Sequence, residues 1–294
     1  MLLLELTALS IVVLYVLTHV YKNPDAGDFL IRISLISAAS WVAEESCILI
    51  YGFHAYSPKW SLSIGDVPLL VVIIWPFVIH SAWELARQIS SRNQKLAFVF
   101  TGAIVFTDAS LIEPISVQAG LWEWNEPGIF HVPVIGILGW AYFSYLCSFF
   151  YHRFEMPARP RALKLLCLVF PVIGTHLLLL GTWWAVFRWI GSEIDPIILT
   201  LVVWSLSLLL VIFLLKDKTG VRVKKKTLLL RIPPSIFFFT LIILNSDGMT
   251  WFVLYILAFI PPYLTLMFQQ YVNCFGAGNK KRSTKEKTRI FKGV

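Results

Sequence analysis

The segment KLAFVFTGAIVFTDASLIEPISV, residues 95–117, indicates which class of fold this chain adopts. It forms an almost unbroken apolar run, about as long as the ~20 residues that an α-helix needs to cross the hydrocarbon core of a bilayer. Comparable stretches recur along the chain, and we predict eight more spans at 2–20, 29–52, 66–86, 131–151, 163–188, 196–215, 227–245 and 249–273. The sequence therefore predicts an all-α, polytopic membrane bundle of about nine transmembrane helices.

The composition agrees with a chain that lies mostly in a membrane. Apolar residues make up 57% of the 294 residues and charged residues only 14%, whereas soluble domains average about 45–50% and about 25%. These fractions exclude ordinary soluble, collagen-like and disordered proteins. No connection between spans is long enough for a soluble domain, so we predict one integral membrane domain at 1–275. Residues 276–294 are predicted to be a basic, disordered cytoplasmic tail.

The basic residues predict how the helices are oriented. Of the 25 Lys and Arg residues, 22 fall in the tail and in alternate connections, while the opposite connections hold only Lys59 and Arg188. Basic loops stay in the cytoplasm, which predicts a multi-pass protein of the cell membrane with its N-terminus outside and its C-terminus inside. The net charge of +8 follows from this topology, and no nucleic-acid partner is predicted. The first span has no basic segment before it and is expected to be retained rather than cleaved.

Spans 2–3 and spans 4–5 carry the same pattern of residues. In each pair a glutamate is followed by a glycine, an aromatic residue, a Val-Pro pair that opens the next span, and a tryptophan seven residues after that proline. The residues are Glu44, Gly52, Tyr56, Val67-Pro68 and Trp75 in the first pair, and Glu113, Gly120, Trp124, Val132-Pro133 and Trp140 in the second. We interpret the pattern as a parallel repeat, although Val-Pro pairs and interfacial aromatic residues also recur in unrelated membrane helices. Repeats in membrane proteins commonly enclose a buried site.

Acidic residues inside the spans are the strongest indication of such a site. A charge in the bilayer core costs several kcal/mol unless it is paired, solvated or neutralised. Asp108 lies near the middle of its span, Glu113 follows five residues later, and Glu44 lies near the end of span 2. Basic residues are not expected to compensate these acids within the bilayer, so some should carry a proton that they can donate. The loop at 118–128 is expected either to form an interfacial belt or to cover a site lined by Asp108 and Glu113.

The ordered motifs around Glu113 resemble those of a known family. They are Asp108-x4-Glu113-Pro114, Gly120-Leu121-Trp122-Glu123-Trp124, Pro127-Gly128, Val132-Pro133 and Leu138-Gly139-Trp140. Together with the segment from Glu44 to Trp75, this pattern is similar to the membrane carotenoid-biosynthesis family that includes bacterial and archaeal carotenoid hydratases. The resemblance covers residues 40–145.

The resemblance implies an enzyme that adds water to the terminal C=C bond of a linear carotenoid. It implies Asp108 and Glu113 as the acid–base pair, with Glu44 as a third candidate catalytic residue. The residues that would contact the polyene or its cation are Tyr56, Trp122, Trp124 and Trp140. No metal and no organic cofactor is expected. The implied partners are a lipid-soluble polyene, membrane lipids and other enzymes of the carotenoid pathway.

The chain departs from the family pattern just before Gly139-Trp140. The family tends to have Gly-Val-Pro and then Asn-Phe, whereas here His131 precedes Val132-Pro133 and Gly136-Ile137 stand in the Asn-Phe place. The missing asparagine favours an alternative, a non-catalytic carotenoid-binding, polyisoprenoid-binding or assembly protein. A proton-coupled transporter is a third hypothesis. Parallel repeats, and the lack of matched broken helices beyond Pro114, argue against it.

Overall fold

The fold is a bundle of long apolar helices, seen in a computed structural model that describes residues 1–91, 93–154, 165–190, 192–216, 223–245 and 248–268. In these residues nine helices are long and apolar enough to cross a membrane. They are Leu2–Val20, Ala26–Tyr51, Leu69–Ile89, Gln94–Gln118, Val134–Arg153, Leu166–Trp189, Pro196–Lys216, Lys225–Asn245 and Thr250–Phe268. The predicted all-α polytopic bundle is therefore confirmed. The predicted tail at 276–294 lies outside the described residues.

The three most buried spans of the bundle, Leu69–Ile89, Gln94–Gln118 and Val134–Arg153, are consecutive and lie at its centre. The helices are α1 (Leu2–Val20), α2 (Ala26–Tyr51), α3 (Leu69–Ile89), α4 (Ala97–Gln118), α5 (Val134–Phe154), α6 (Leu166–Ala185), α7 (Pro196–Lys216), α8 (Lys225–Leu229), α9 (Ile232–Asn245) and α10 (Thr250–Leu257). Helix α4 packs extensively on α3 and α5. A Cβ atom at Gly102 of α4 would lie 3.2 Å from the carbonyl oxygen of Ala141 in α5, so the glycine lets the two backbones approach closely.

Two short antiparallel strand pairs lie at one end of the bundle, which we call the strand end. Strand β1 (His54–Tyr56) pairs with β4 (Trp122–Trp124), and β2 (Ser63–Ile64) pairs with β3 (Val67–Pro68). Each Val-Pro pair of the repeat lies immediately before a helix, since α3 begins at Leu69 and α5 at Val134. The strand end therefore gathers both copies of the repeated motif.

The register of β1 and β4 follows the sequence repeat. Gly52 and Gly120 follow α2 and α4 with φ of 60° and 67°, a left-handed conformation that favours glycine at a helix end. The middle residues of the two strands, Ala55 and Glu123, pair with each other. Ala55 and Glu123 are equivalent positions of the two repeats, so a two-fold axis that relates the two helix pairs would pass between them and give this register. The equivalent residues Trp75 and Trp140 also stack on each other, with ring centroids 3.2 Å apart.

Pro114 lies inside α4 without ending it. Because proline has no N–H, the carbonyl of Ser110 one turn earlier loses its helical donor. The hydroxyl of Tyr255 in α10 donates to that carbonyl oxygen at 2.7 Å. The freed backbone group is thus satisfied inside the bundle, as a low-dielectric environment demands, and the last span is fixed to α4 one turn from Glu113.

Both of the last two spans are interrupted beside a Pro-Pro pair. Helix α8 ends at Leu229 and α9 begins at Ile232, directly before Pro233-Pro234. In the final span the helix is interrupted at residues 258–259, before Pro261-Pro262. Prolines remove backbone donors and clash with the preceding turn, which explains both breaks. Both breaks lie outside the helix pairs 2–3 and 4–5 that carry the repeat.

His131 occupies a position whose backbone favours glycine. Phe130 and His131 have φ of 48° and 67°, in a tight turn closed by hydrogen bonds between Ile129 and Val132. The His131 side chain is 68% exposed, and its Nδ1 lies 3.2 Å from Oε1 of Glu193, a surface contact that contributes little to stability. The substitution His131→Gly is expected to raise the free energy of unfolding by about 0.5–1 kcal/mol, because it relieves the left-handed strain. Thermal unfolding of the purified protein measures the change. A loss of stability in His131→Gly, with none in Glu193→Gln, would contradict this account.

Candidate active site

Glu113 is a buried carboxyl group held by three tryptophans. Its side chain lies in α4 below the strand end and is 2% exposed. Oε2 accepts hydrogen bonds from the indole N–H groups of Trp122 and Trp124 at 2.8 and 3.3 Å, and Oε1 accepts one from Trp140 at 3.0 Å. In the described part of the chain, no Lys or Arg forms an ion pair with it. Neutral donors fix the orientation of the carboxyl group without cancelling its charge.

Glu44 is the equivalent acid of the first repeat and is held in an equivalent way. Its Oε2 accepts a hydrogen bond from the Tyr56 hydroxyl at 3.0 Å and lies 3.0 Å from Nε2 of His54. The side chain is 12% exposed. Each glutamate of the repeat is therefore bonded to the first and third residues of the strand that follows it.

The alternation of side chains along a strand explains this arrangement. Successive residues of a strand point to opposite faces, so the first and third residues of β1 and β4 share the face above the glutamates. The His54 ring lies 4.7 Å from the Trp124 ring, and Tyr56 meets Trp122 edge to face at 5.7 Å. The middle residues, Ala55 and Glu123, are exposed. Four aromatic rings thus form a lid over the two carboxyl groups.

The two titratable residues of β1 lie outside the membrane-spanning helices, and both have shifted pKa values. Burial favours the neutral imidazole of His54, but the hydrogen bond to Glu44 and the negative charges of Glu44 and Glu113 outweigh it, so the pKa of His54 is raised above 6.5. Burial, together with the charge of Glu44, raises the pKa of Tyr56 well above its ordinary value. Tyr56 therefore stays a hydrogen-bond donor, while His54 can share a proton with Glu44.

A small cavity of ≈ 60 Å³ opens beside Glu44 and His54. Gly136 and Gly139 of α5 form part of its wall. A Cβ atom at Gly136 would overlap the Trp124 ring, so this glycine makes room for the indole that bonds Glu113. Gly136 stands in the place of the asparagine expected from the family pattern. The Trp124 ring occupies the space that an asparagine side chain would need there.

Asp108 lies apart from the lid and has different partners. Nη2 of Arg231 donates to both carboxylate oxygens of Asp108 at 2.5 Å, and the Tyr263 hydroxyl donates to Oδ1 at 2.9 Å. Nη1 of Arg231 also donates to Ser81 Oγ at 3.0 Å. The expectation that no basic residue compensates the acids within the bilayer is therefore wrong for Asp108. Arg231 falls within the predicted span 227–245, and the break between α8 and α9 places it inside the bundle.

The structure brings together six of the seven candidate site residues. These are Glu44, Tyr56, Glu113, Trp122, Trp124 and Trp140; Asp108 is the exception. Sequence reasoning missed His54, although its place two residues before Tyr56 on a strand puts both on one face. It also missed Arg231 and Tyr263, which only the packing of the last two spans brings to Asp108.

One group of side chains has the composition to bind a metal ion. His19, His80 and Glu84 place one ligand atom each within 4.8 Å of one another. Hydrogen bonds already account for their positions, since His19 contacts Glu84 at 3.3 Å and His80 contacts the Tyr15 hydroxyl at 2.9 Å. The Arg32 guanidinium also lies 3.4 Å from His80 Nε2, and a second cation there would be repelled.

The fold and the site define a class: a polytopic helical membrane protein with a buried carboxyl pair under an aromatic lid. Residues 1–207 match the model of the family described as carotenoid biosynthesis protein, and the chain belongs to that family. The match extends beyond the predicted region of resemblance, 40–145, at both ends. Comparison with curated proteins and with solved structures gave no match. The protein therefore has a role in carotenoid biosynthesis.

Proposed function

We propose that this protein is a hydratase that adds water to the terminal C=C bond of a linear carotenoid. The observation that carries the proposal is the pair of repeat-related carboxyl groups, Glu44 and Glu113, held beneath one aromatic lid without a Lys or Arg partner among the described residues. Protonation of an alkene needs a strong acid in a dry site, and the cation that forms needs a negative or aromatic neighbour. This cluster offers both.

The proposed reaction uses the two glutamates in different roles. The Glu44–His54 pair delivers a proton to the less substituted carbon of the terminal C=C bond, and the π electrons of that bond form the new C–H bond. The positive charge that develops on the tertiary carbon faces the Glu113 carboxylate and the rings of Trp122 and Trp124. Water then forms the C–O bond, and its proton passes to Glu113 and returns to Glu44 before the next turnover. One water molecule is added, and no oxidant or reductant is needed.

Two buried polar atoms support a place for water beside the glutamates. His54 Nδ1 and Ser116 Oγ have no hydrogen-bond partner among the described residues. Ser116 lies one helical turn beyond Glu113, and His54 is bonded to Glu44 through its other ring nitrogen. Buried polar atoms of this kind are commonly satisfied by water.

The proposal changes the acid–base pair expected from the resemblance. Both carboxylate oxygens of Asp108 are bonded to the Arg231 guanidinium, and the Tyr263 hydroxyl also bonds Oδ1, so Asp108 does not face the aromatic lid or the other two acids. We therefore assign the second catalytic carboxyl group to Glu44 rather than to Asp108, and treat Asp108 as a positioning residue.

Expression in cells that make a linear carotenoid with unmodified ends tests the function. Mass spectrometry of the extracted pigments should show a product heavier by one water, and Glu44→Gln should reduce that product by about 100-fold or more. Glu45→Gln is the matched control, because Glu45 is the next residue along α2 and accepts a hydrogen bond from the Asp66 backbone N–H at 2.9 Å rather than from the residues of the lid. Purified protein that binds the carotenoid and leaves it unconverted would overturn the enzyme proposal in favour of a binding protein.

The raised pKa of His54 predicts how the activity depends on pH. The imidazolium that shares its proton with Glu44 persists to a pH above 6.5 and is lost as the pH rises through the raised pKa. Hydration by the purified protein in detergent should therefore be fastest on the acid side of that pKa and fall on the alkaline side. His54→Gln should lower the rate and remove this alkaline limb. An unchanged limb in His54→Gln would show that another group titrates.

A further inference from the structure

Two apolar cavities that share wall residues lie inside the bundle between the strand end and the Asp108–Arg231 pair, and together we call them the channel. It consists of an upper cavity of ≈ 40 Å³ beside Trp122 and a lower cavity of ≈ 240 Å³ beside Arg231. The walls of both cavities include Ala8, Ile74, Val78, Ile112, Phe237 and Phe238. Together the two cavities follow α1 from Leu4 to Tyr15, which at 1.5 Å per residue is about 16 Å.

Polar groups stand mainly at the two ends of this channel. At the lower end Asp108, Arg231 and Tyr263 are bonded to one another. At the upper end the lining includes Ser116, whose hydroxyl has no partner among the described residues, and Trp122, which bonds Glu113. The walls between are apolar and rich in phenylalanine. A site of this kind suits a long, unsaturated hydrocarbon, whose π electrons interact favourably with aromatic walls.

We propose that the channel holds the polyene chain next to its reacting end, and that Phe237 and Phe238 determine which chain fits. The inference rests on the proposed function, since it places the reacting end at Trp122, whose indole N–H bonds Glu113, next to the separate small cavity that Glu44, His54 and Trp124 line. The two phenylalanines lie on α9, beyond residue 207 where the family match ends. The wall that selects the chain therefore comes from a part of this protein that the family pattern does not cover.

The Asp108–Arg231 pair positions this wall. Arg231 stands directly before α9, and its bonds to Asp108 and Ser81 attach the start of α9 to α4 and α3. The same α4 carries Glu113, so the chain-binding wall and the reacting acid are fixed relative to each other.

Binding of a linear carotenoid to the purified protein in lipid nanodiscs tests the inference without requiring turnover. The probe is an acyclic C40 polyene, quantified by its visible absorption after removal of unbound pigment. Phe238→Trp, which fills the channel from α9, and Ala8→Phe, which fills it from α1, should each weaken binding by about tenfold or more. Phe213→Trp is the matched control, because Phe213 is an exposed residue of α7 away from the channel.

The outcomes separate this inference from the proposed function. Binding that is weakened by both channel variants and kept by Phe213→Trp supports the channel, even if the wild-type protein hydrates nothing. If both channel variants bind the polyene as tightly as the wild-type protein does and still hydrate it, the channel proposal is wrong. The proposed function is then unaffected. The channel proposal is also wrong if native mass spectrometry shows that the channel variants lose only bound phospholipid and keep the bound pigment.

Discussion

Replacing Glu113 by glutamine is expected to reduce hydrated product by about 100-fold or more, because the variant loses the group that accepts the proton and faces the cation. Glutamine has one acceptor oxygen where glutamate has two. The indoles that now bond to both oxygens cannot all keep an acceptor. The stability loss from an unpaired buried N–H is expected to be about 1–3 kcal/mol. Product per folded protein is therefore the quantity to measure, with the folded fraction taken from thermal unfolding.

Glu123→Gln provides the matched control for this experiment. Glu123 lies between Trp122 and Trp124 on β4, but its side chain points to the exposed face. It should leave both product and stability unchanged. If Glu113→Gln folds and forms product at the wild-type rate, Glu113 is not a catalytic residue and the proposed site is wrong.

Breaking the Asp108–Arg231 pair is expected to have the largest effect on stability. Asp108→Leu leaves a guanidinium buried without its counter-ion, and Arg231→Met leaves the carboxylate in the same condition. Each is expected to lower the free energy of unfolding by about 3–5 kcal/mol. The double variant removes both charges and should recover much of this loss, because the desolvation penalty disappears with the pair. Thermal unfolding of the four proteins in one detergent gives the coupling energy.

The same four proteins decide the role of Asp108. If Asp108 only positions α9, product formation in the double variant should recover together with the folded fraction. A double variant that is well folded and forms no product would return Asp108 to the acid–base pair. Additive stability losses, with no recovery in the double variant, would contradict the ion pair itself.

Part of the site could be predicted because it depends on local patterns. Glu44 and Glu113 stand out in apolar spans, and the tryptophans and Tyr56 recur at fixed distances from them. Proline and glycine mark where the helices begin and end, so the spans agree with the helices of the structure. The pairing of β1 with β4 could also have been inferred, since the repeat and the period-two alternation of strands put His54 and Tyr56 on one face.

The partner of Asp108 could not be predicted in this way. Arg231 follows a run of basic residues at the start of a predicted span, and its contact with Asp108 depends on a helix break and on the packing of two spans more than 100 residues away from Asp108. Two residues five apart on a helix face different directions, which separates Asp108 from Glu113 despite their closeness in sequence.

The apolar runs and the acids within them are enough to establish a polytopic helical membrane protein with acids where the bilayer disfavours them, because the cost of burying charge and backbone in lipid leaves few other solutions. Which acids share a site depends on how the helices and strands pack. Glu44 joins Glu113 because the two strands pair across the repeat. Asp108 joins Arg231 because the packing of the last two spans brings the guanidinium to it, and each charge offsets part of the cost of burying the other.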